Sequence, residues 1–398
     1  MKNLVIFHME SVSNVIYQLN KDLFPNLNKW SCYFEKYTNY YSTATSTVMV
    51  MSDLFFGDMT IFDASDYLED IYTLKSSKKS VFECLNERGY VTQTFFYGYD
   101  GHERNRKLNG VINNGGTFWD GDEEEAFLSS FDHFTQTAVP FAAFIEENVS
   151  HVTYKGTRLK KEMPQIEKYE NKYRVMDETV GRIFEHLQEN GLLDNTVIIL
   201  YGDHGDEYWF HGYHEGYTHA IAPYTSLVHC PFFIFNGMNE SKINDELLST
   251  VDTYNMIMNA LGIDKKHEAA EYVISRNLFA NQQRRADIFD KGYSITDGKY
   301  TLLLTRAGLS MYQNRLDPYN LNNILEFFLF EEDELRYNEE FNKMLSSHYK
   351  SLMIQAEKDE IRNKFGYLRK KLYQYVESNE FLKGKWAWNK ISRQRHNL

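Results

Sequence analysis

Cysteine is scarce in this chain of 398 residues, which has Cys32, Cys84 and Cys230 alone. An odd number with neither metal-type nor redox spacing argues against a disulfide framework and fits a reducing compartment. Long apolar runs are missing as well. No stretch is long enough and free enough of charge to cross a bilayer, and the opening "MKNLVIFHMES" lacks an apolar segment of signal-peptide length. The expectation is a soluble, cytoplasmic protein. Nor is there an excess of basic residues: 43 Lys and Arg stand against 56 Asp and Glu, a formal net charge of −13. A general nucleic-acid binder, which must neutralise phosphates, is thereby disfavoured. Repeats and low-complexity linkers are absent. What remains is an ordinary globular composition, 42% hydrophobic and 25% charged, long enough for one large α/β domain with an appendage or for two domains.

The pattern along the chain is an alternation of helix and strand. "NLVIFH" (3–8) reads as a buried first strand, residues 80–98 as helix, glycine stop and strand, and "PFAAFIEE" (140–147) as a further strand. Val175, Val180, Ile183, Phe184 and Leu187 fall on one helix that stops near Gly191 and turns into "TVIILY". That run and "CPFFIF" are β-branched or aromatic throughout, as suits strands of a parallel sheet covered on both faces. "STVDTYNMIMNALGID" reads as an amphipathic helix, and "GKYTLLLTRAGLSMYQNRLDP" as an antiparallel pair. The fold class expected is therefore α/β, a mostly parallel central sheet with helices on both faces, a small C-terminal antiparallel strand pair and a helical tail. A composition shift near Asn320 divides the chain into a catalytic domain, 1–320, and a helical, basic and aromatic extension, 321–398.

Between the two apolar runs, residues 198–235 hold five histidines and four acidic residues. In open α/β sheets chemistry sits where the strands end, so Asp203 and His204 of "YGDHGD" are placed to hold a hard or borderline cation. Glu10 follows the first strand, a hydroxyl run "STATSTVMVMSDLFFG" occupies 42–57, and His151 lies in "ENVSHVTYKG". Each alone has a plain structural reading, a helix cap or a solvated turn.

Their order is what resembles a family. An acidic residue after the first strand, a hydroxyl at the start of the next helix and "DHG" after a later strand together resemble the alkaline phosphatase superfamily, in its sulfatase-like branch. The resemblance covers roughly residues 3–325 and extends to "VDTYNMIMNALGI", "DGKY" and "MYQNRLDPYNLNNI". The Cys/Ser-x-Pro-x-Arg signature of formylglycine sulfatases is missing. If Gly57 matches the glycine ending the helix-start motif, the nucleophile position is Thr47, and "TSTVMVMSDLF" is similar to the corresponding segment of phosphoethanolamine transferases. Ser46 and Thr45 are the alternatives if the register slips. "HEGYTHAIAPYTSLVHCPFFIF" resembles the same family, whose phosphoryl-site histidines fall on His151 and, with a one-residue gap, on His214, with His219 as its rival. "HERNRKLNG" is similar to the "F-W-N-R" segment of phosphoglycerol transferases, which implies a substrate contact at Arg106.

The resemblance implies one divalent cation, Zn²⁺ or Mn²⁺, held by Glu10, Thr47, Asp203 and His204; His8, His211 and His229 read as structural, though His211 could join a second metal site. It implies a phospho-threonine intermediate formed from a phosphodiester donor, with a glycan or small hydroxyl as acceptor: a phosphotransferase that places phosphoethanolamine or phosphoglycerol on a bacterial surface glycan, lipopolysaccharide included, or on its precursor. The alternatives are a hydrolase of phosphodiesters or sulfate esters and an inactive binding scaffold. From Lys358 onward eleven Lys or Arg face four acidic residues, with Phe381, Trp386 and Trp388 among them. Such a tail suits peripheral contact with the inner membrane.

Overall fold

A computed structural model describes residues 1–59, 78–98, 102–148, 151, 165–208, 210–211, 219, 221–263, 268–277, 292–305, 308–331, 334–340 and 355–378. Strands β1 (Asn3–Met9), β2 (Phe34–Tyr41), β3 (Val91–Tyr97), β4 (Phe118–Gly121), β5 (Phe141–Glu147), β6 (Thr196–Gly202), β7 (Phe232–Asn236) and β8 (Lys242–Ser249) form one sheet in the order β4-β3-β5-β1-β6-β7-β2-β8. Neighbours are parallel except at β7, which runs antiparallel to both β6 and β2. The run "CPFFIF" is thus a buried strand, but not a parallel one. Its first residue Phe232 pairs with Tyr201 near the end of β6, so the chain re-enters the sheet where it left it, and no crossover to the far edge is needed.

Among the described residues the helices are α1 (Asn14–Leu19), α2 (Pro25–Trp30), α3 (Thr47–Phe56), α4 (Val81–Asn86), α5 (His102–Ile112), α6 (Glu124–Thr137), α7 (Gln165–Glu189), α8 (Thr225–Val228), α9 (Thr253–Ala260) and α10 (Gln355–Ser378). They cover both faces of the sheet, which explains the unbroken apolar run of β1. Leu4 and Ile6 pack with α3, α4 and α9 through Val50, Phe82 and Ile257. Val5, Phe7 and Met9 pack on the other face with α2, α6 and α7. Each such burial contributes about 1.5–3 kcal/mol. No helix among the described residues is long and apolar enough to cross a membrane.

A second, antiparallel sheet holds β9 (Val273–Arg276), β10 (Gly292–Thr296), β11 (Tyr300–Thr305) and β12 (Gly308–Gln313) in the order β12-β11-β10-β9. The expected C-terminal pair is β11 with β12, widened by two further strands. Ile361, Phe365, Leu368 and Leu372 of α10 close its apolar face. Past Asn320 the chain is not wholly helical, for β13 (Phe328–Glu331) and β14 (Glu334–Tyr337) form a hairpin whose Phe328, Leu335 and Tyr337 join that same core.

The two sheets are stitched together beside α3. The Arg276 N–H donates to the Thr43 carbonyl at 3.0 Å, and the Thr45 N–H to the Arg276 carbonyl at 3.2 Å. The Arg276 guanidinium makes a bidentate pair with Asp53 of α3, at 2.8 and 3.1 Å, with both side chains buried.

Candidate active site

The carboxyl ends of β1, β5 and β6 lie side by side at the middle of the sheet. Glu10 follows β1, His151 lies beyond β5, and Asp203 and His204 follow β6. Thr47 reaches the same place as the first residue of α3. Ser46 precedes it in extended conformation and makes no side-chain cap hydrogen bond; the Met49 N–H donates to the Ser46 carbonyl at 3.1 Å, which leaves the N–H groups of Thr47 and Val48 for an anion. Gly205 lets the chain after His204 pass close to its neighbours: a Cβ there would stand 2.6 Å from the Ser13 Cβ and 2.7 Å from the Ser226 carbonyl oxygen.

Glu10, Asp203 and His204 are fully buried, and Thr47 is nearly so. Thr47 Oγ1 lies 3.1 Å from Glu10 Oε2 and 3.3 Å from His204 Nε2. His204 Nε2 is 3.1 Å from Asp203 Oδ2, while its Nδ1, 3.1 Å from the Gly205 carbonyl oxygen, is placed to donate there. That leaves Nε2 as the lone-pair nitrogen. Asp203 Oδ2 is buried without a hydrogen-bond partner. A buried, unpartnered carboxylate oxygen facing a second carboxylate is costly unless a cation joins them. The oxygen and imidazole donors therefore fit a divalent metal, and among the described residues two groups of ligand-type side chains lie close enough to hold one: His8, Glu10 and Asp203, and His204, Asp206 and His219.

The charges are set by this crowding. Burial alone would raise the Glu10 carboxyl, yet the His8 hydrogen bond and the neighbouring histidines hold it well below the ordinary range. Asp203 is lowered as well, despite burial and the Glu10 charge, because His204 and His8 outweigh them. Burial presses His151 down to about 4. His219 resists burial through its hydrogen bond to Asp206 and is raised to about 9. Against burial, the Asp203 and Glu10 charges raise His8 to about 10, and a cation set between the two carboxylates would displace its proton.

Of the residues singled out from the sequence, Glu10, Thr47, Asp203, His204, His151 and His219 come together here. The ring centroids of His151 and His204 lie 5.2 and 4.4 Å from that of His219. His214 lies outside the described residues. Arg106 sits on the exposed side of α5, whereas Arg104, two positions earlier, turns inward and grips Glu146 at 2.6 Å. His211, read as structural with a second metal site as the alternative, binds Glu207 Oε1 at 3.1 Å and stacks on Tyr224 with ring centroids 3.5 Å apart. Three contributors were missed. Asp206 is fully buried and holds His219 Nδ1 at 2.8 Å. Ser11 donates from Oγ to Glu10 Oε1 at 2.8 Å and from its backbone N–H to Asp203 Oδ1 at 3.0 Å. His8 lies 3.2 Å from Glu10 Oε2 and 3.3 Å from Asp203 Oδ2; the i, i+2 spacing of His8 and Glu10 on a strand was the available signal.

This fold, with an acidic residue, a helix-start hydroxyl and an Asp-His pair meeting at the strand ends, defines a sulfatase-like enzyme of the alkaline phosphatase superfamily. The chain belongs to the sulfatase family, whose profile matches residues 2–263, and so to enzymes that transfer phosphoryl groups or hydrolyse sulfate esters. Such enzymes are typically metal-dependent. Lipoteichoic acid synthase of Staphylococcus aureus is 27% identical over 210 residues, 46% of this chain and 31% of that protein. The match thus spans less than a third of that relative's length. The lipoteichoic acid synthase LtaP of Listeria monocytogenes superposes with a TM-score of 0.61 at 14% identity, over 83% of this chain and 87% of that one. A Vibrio parahaemolyticus protein in the alkaline phosphatase superfamily gives 0.58 at 16%, over 85% and 82%. At these identities the structural likeness shows the fold.

Proposed function

We propose that the chain is a metal-dependent phosphotransferase with Thr47 as nucleophile, moving a phosphoglycerol- or phosphoethanolamine-type group from a phosphodiester donor to a hydroxyl of a surface glycan or its precursor. The observation that carries this reading is the position of Thr47 Oγ1, at a helix start, 3.1 Å from Glu10 Oε2 and 3.3 Å from His204 Nε2. Glu10, Asp203, His204 and Thr47 would hold the cation, which when bound favours the alkoxide and withdraws charge from a phosphoryl oxygen. Thr47 Oγ1 forms a bond to phosphorus as the donor's P–O bond breaks, and the departing alcohol oxygen takes up a proton. The Thr47 and Val48 N–H groups at the start of α3 receive phosphoryl oxygens. His219, fixed by Asp206, donates to the phosphoryl group or the leaving oxygen, and His151 faces the same space. In the second step the acceptor hydroxyl attacks phosphorus, gives up its proton, and Thr47 leaves. Lipoteichoic acid synthase among the relatives supports this choice of donor and acceptor.

The test is intact-protein mass spectrometry after exposure to glycerophospho- and ethanolaminephospho-diesters, followed by peptide mapping. An adduct on Thr47 that is lost in Thr47→Ala, with turnover down by roughly 10³-fold or more, is expected. An adduct on Ser46 or Thr45, or turnover in Thr47→Ala equal to wild type, overturns the assignment. The basic, aromatic residues beyond Glu380, Trp386 and Trp388 among them, lie outside the described residues and are proposed to rest on anionic lipid. The full chain should co-sediment with anionic vesicles more than a chain truncated after Glu380, and equal binding by both removes that role.

A further inference from the structure

The ligand atoms at the strand ends do not stop at four. Glu10 Oε2, Thr47 Oγ1, His204 Nε2, Asp203 Oδ2 and His8 Nε2 close a ring in which successive separations are 3.1, 3.3, 3.1, 3.3 and, from His8 back to Glu10, 3.2 Å. Donors at ligand distances of about 2.0–2.2 Å from one cation stand roughly 2.8–3.6 Å from their neighbours, whether the angles are octahedral or tetrahedral. All five separations fall in that range. A histidine that merely braced the two carboxylates would be expected on their outer oxygens. Those are taken: Ser11 Oγ donates to Glu10 Oε1, and the Ser11 N–H to Asp203 Oδ1. His8 faces the inner oxygens, the same ones that face Thr47 and His204. Its Nδ1 lies 3.3 Å from the Tyr201 hydroxyl, a partner that can accept Nδ1–H and leave Nε2 with its lone pair directed inward.

We propose that His8 is a direct ligand of the active-site cation, giving the site two imidazoles, two carboxylates and the threonine oxygen. This rests on the metal-dependent reading above and deepens it. A second imidazole in place of a water moves the preference away from Mn²⁺ and Mg²⁺, which favour oxygen donors, toward Zn²⁺ and its neighbours in the Irving–Williams order.

The test uses zinc-loaded full chain and X-ray absorption at the zinc edge, which counts coordinated imidazoles without reference to activity. Two imidazoles are expected in the wild type and one in His8→Gln, a variant whose amide can still donate toward the carboxylates. Competition against a chromophoric chelator should show zinc affinity down about 100-fold or more in His8→Gln and His8→Ala, a larger loss than that expected for an outer-sphere partner, with manganese affinity changed less. A single imidazole in the wild type, or the same count in wild type and His8→Gln, overturns the role of His8 and leaves the metal site standing. Wild-type protein that takes up no zinc overturns both. The wild-type count does not depend on how either variant folds.

Discussion

At the scale of single residues, the arrangement of His219 against Asp206 makes the sharpest demand. Their 2.8 Å contact is half-buried on the His219 side and fully buried on the Asp206 side, and it orients the His219 ring. Asp206→Asn should lower kcat about 10- to 100-fold, the usual cost of losing an orienting partner, with zinc content unchanged by elemental analysis. A loss of bound metal instead would place Asp206 in the donor group it shares with His204 and His219. Glu10, Asp203 and His204 were legible because each directly follows a buried apolar run, and Thr47 because a glycine stops its helix ten residues later. His8 was not, since a histidine in the otherwise apolar run from Leu4 to Met9 reads as a packed core group. Nor was the inward turn of Arg104 over Arg106. A helix two residues out of register exposes one arginine and buries the other, and α5 is too polar for an apolar stripe to set that register.

The elements repeat this lesson. β1, β3, β5 and β6 announce themselves by apolar content, and α4, α7 and α9 by their periodicity. β2 and β8 do not, for "FEKYTNYY" is half-buried with polar side chains and "KINDELLS" is an edge strand with four of its eight residues exposed. The brace between β9 and α3 is equally silent in sequence, because Arg276 and Asp53 lie 223 positions apart. Arg276→Met leaves the Asp53 carboxylate buried without its counter-charge. It should destabilise the protein by about 3–5 kcal/mol, read from urea unfolding, whereas replacing both partners by apolar residues of similar volume should cost much less. Equal losses in the single and double variants would show that packing, rather than the charge pair, is what matters there.

For the whole molecule the metal is the main lever. A ligand that binds the folded chain alone adds about 2.7 kcal/mol of stability at a hundred times its dissociation constant, and here it would also relieve two carboxylates confined together. Treatment with EDTA should abolish turnover and lower the thermal unfolding midpoint, and zinc or manganese should restore both. Full activity in protein shown to contain no metal would remove the cation from this site.

The strand-to-loop stitch at Arg276 also bears on when the enzyme becomes an enzyme. The residues that lead into Thr47 are held by a partner 233 positions further along the chain. At synthesis rates of about 5–20 residues per second, that interval lasts on the order of tens of seconds. Throughout it the nascent polypeptide carries its threonine without the contacts that set its posture, and Asp203 and His204 emerge before those contacts can form. On the proposed role of Thr47, a growing chain should therefore form no adduct on that residue until the small sheet is made.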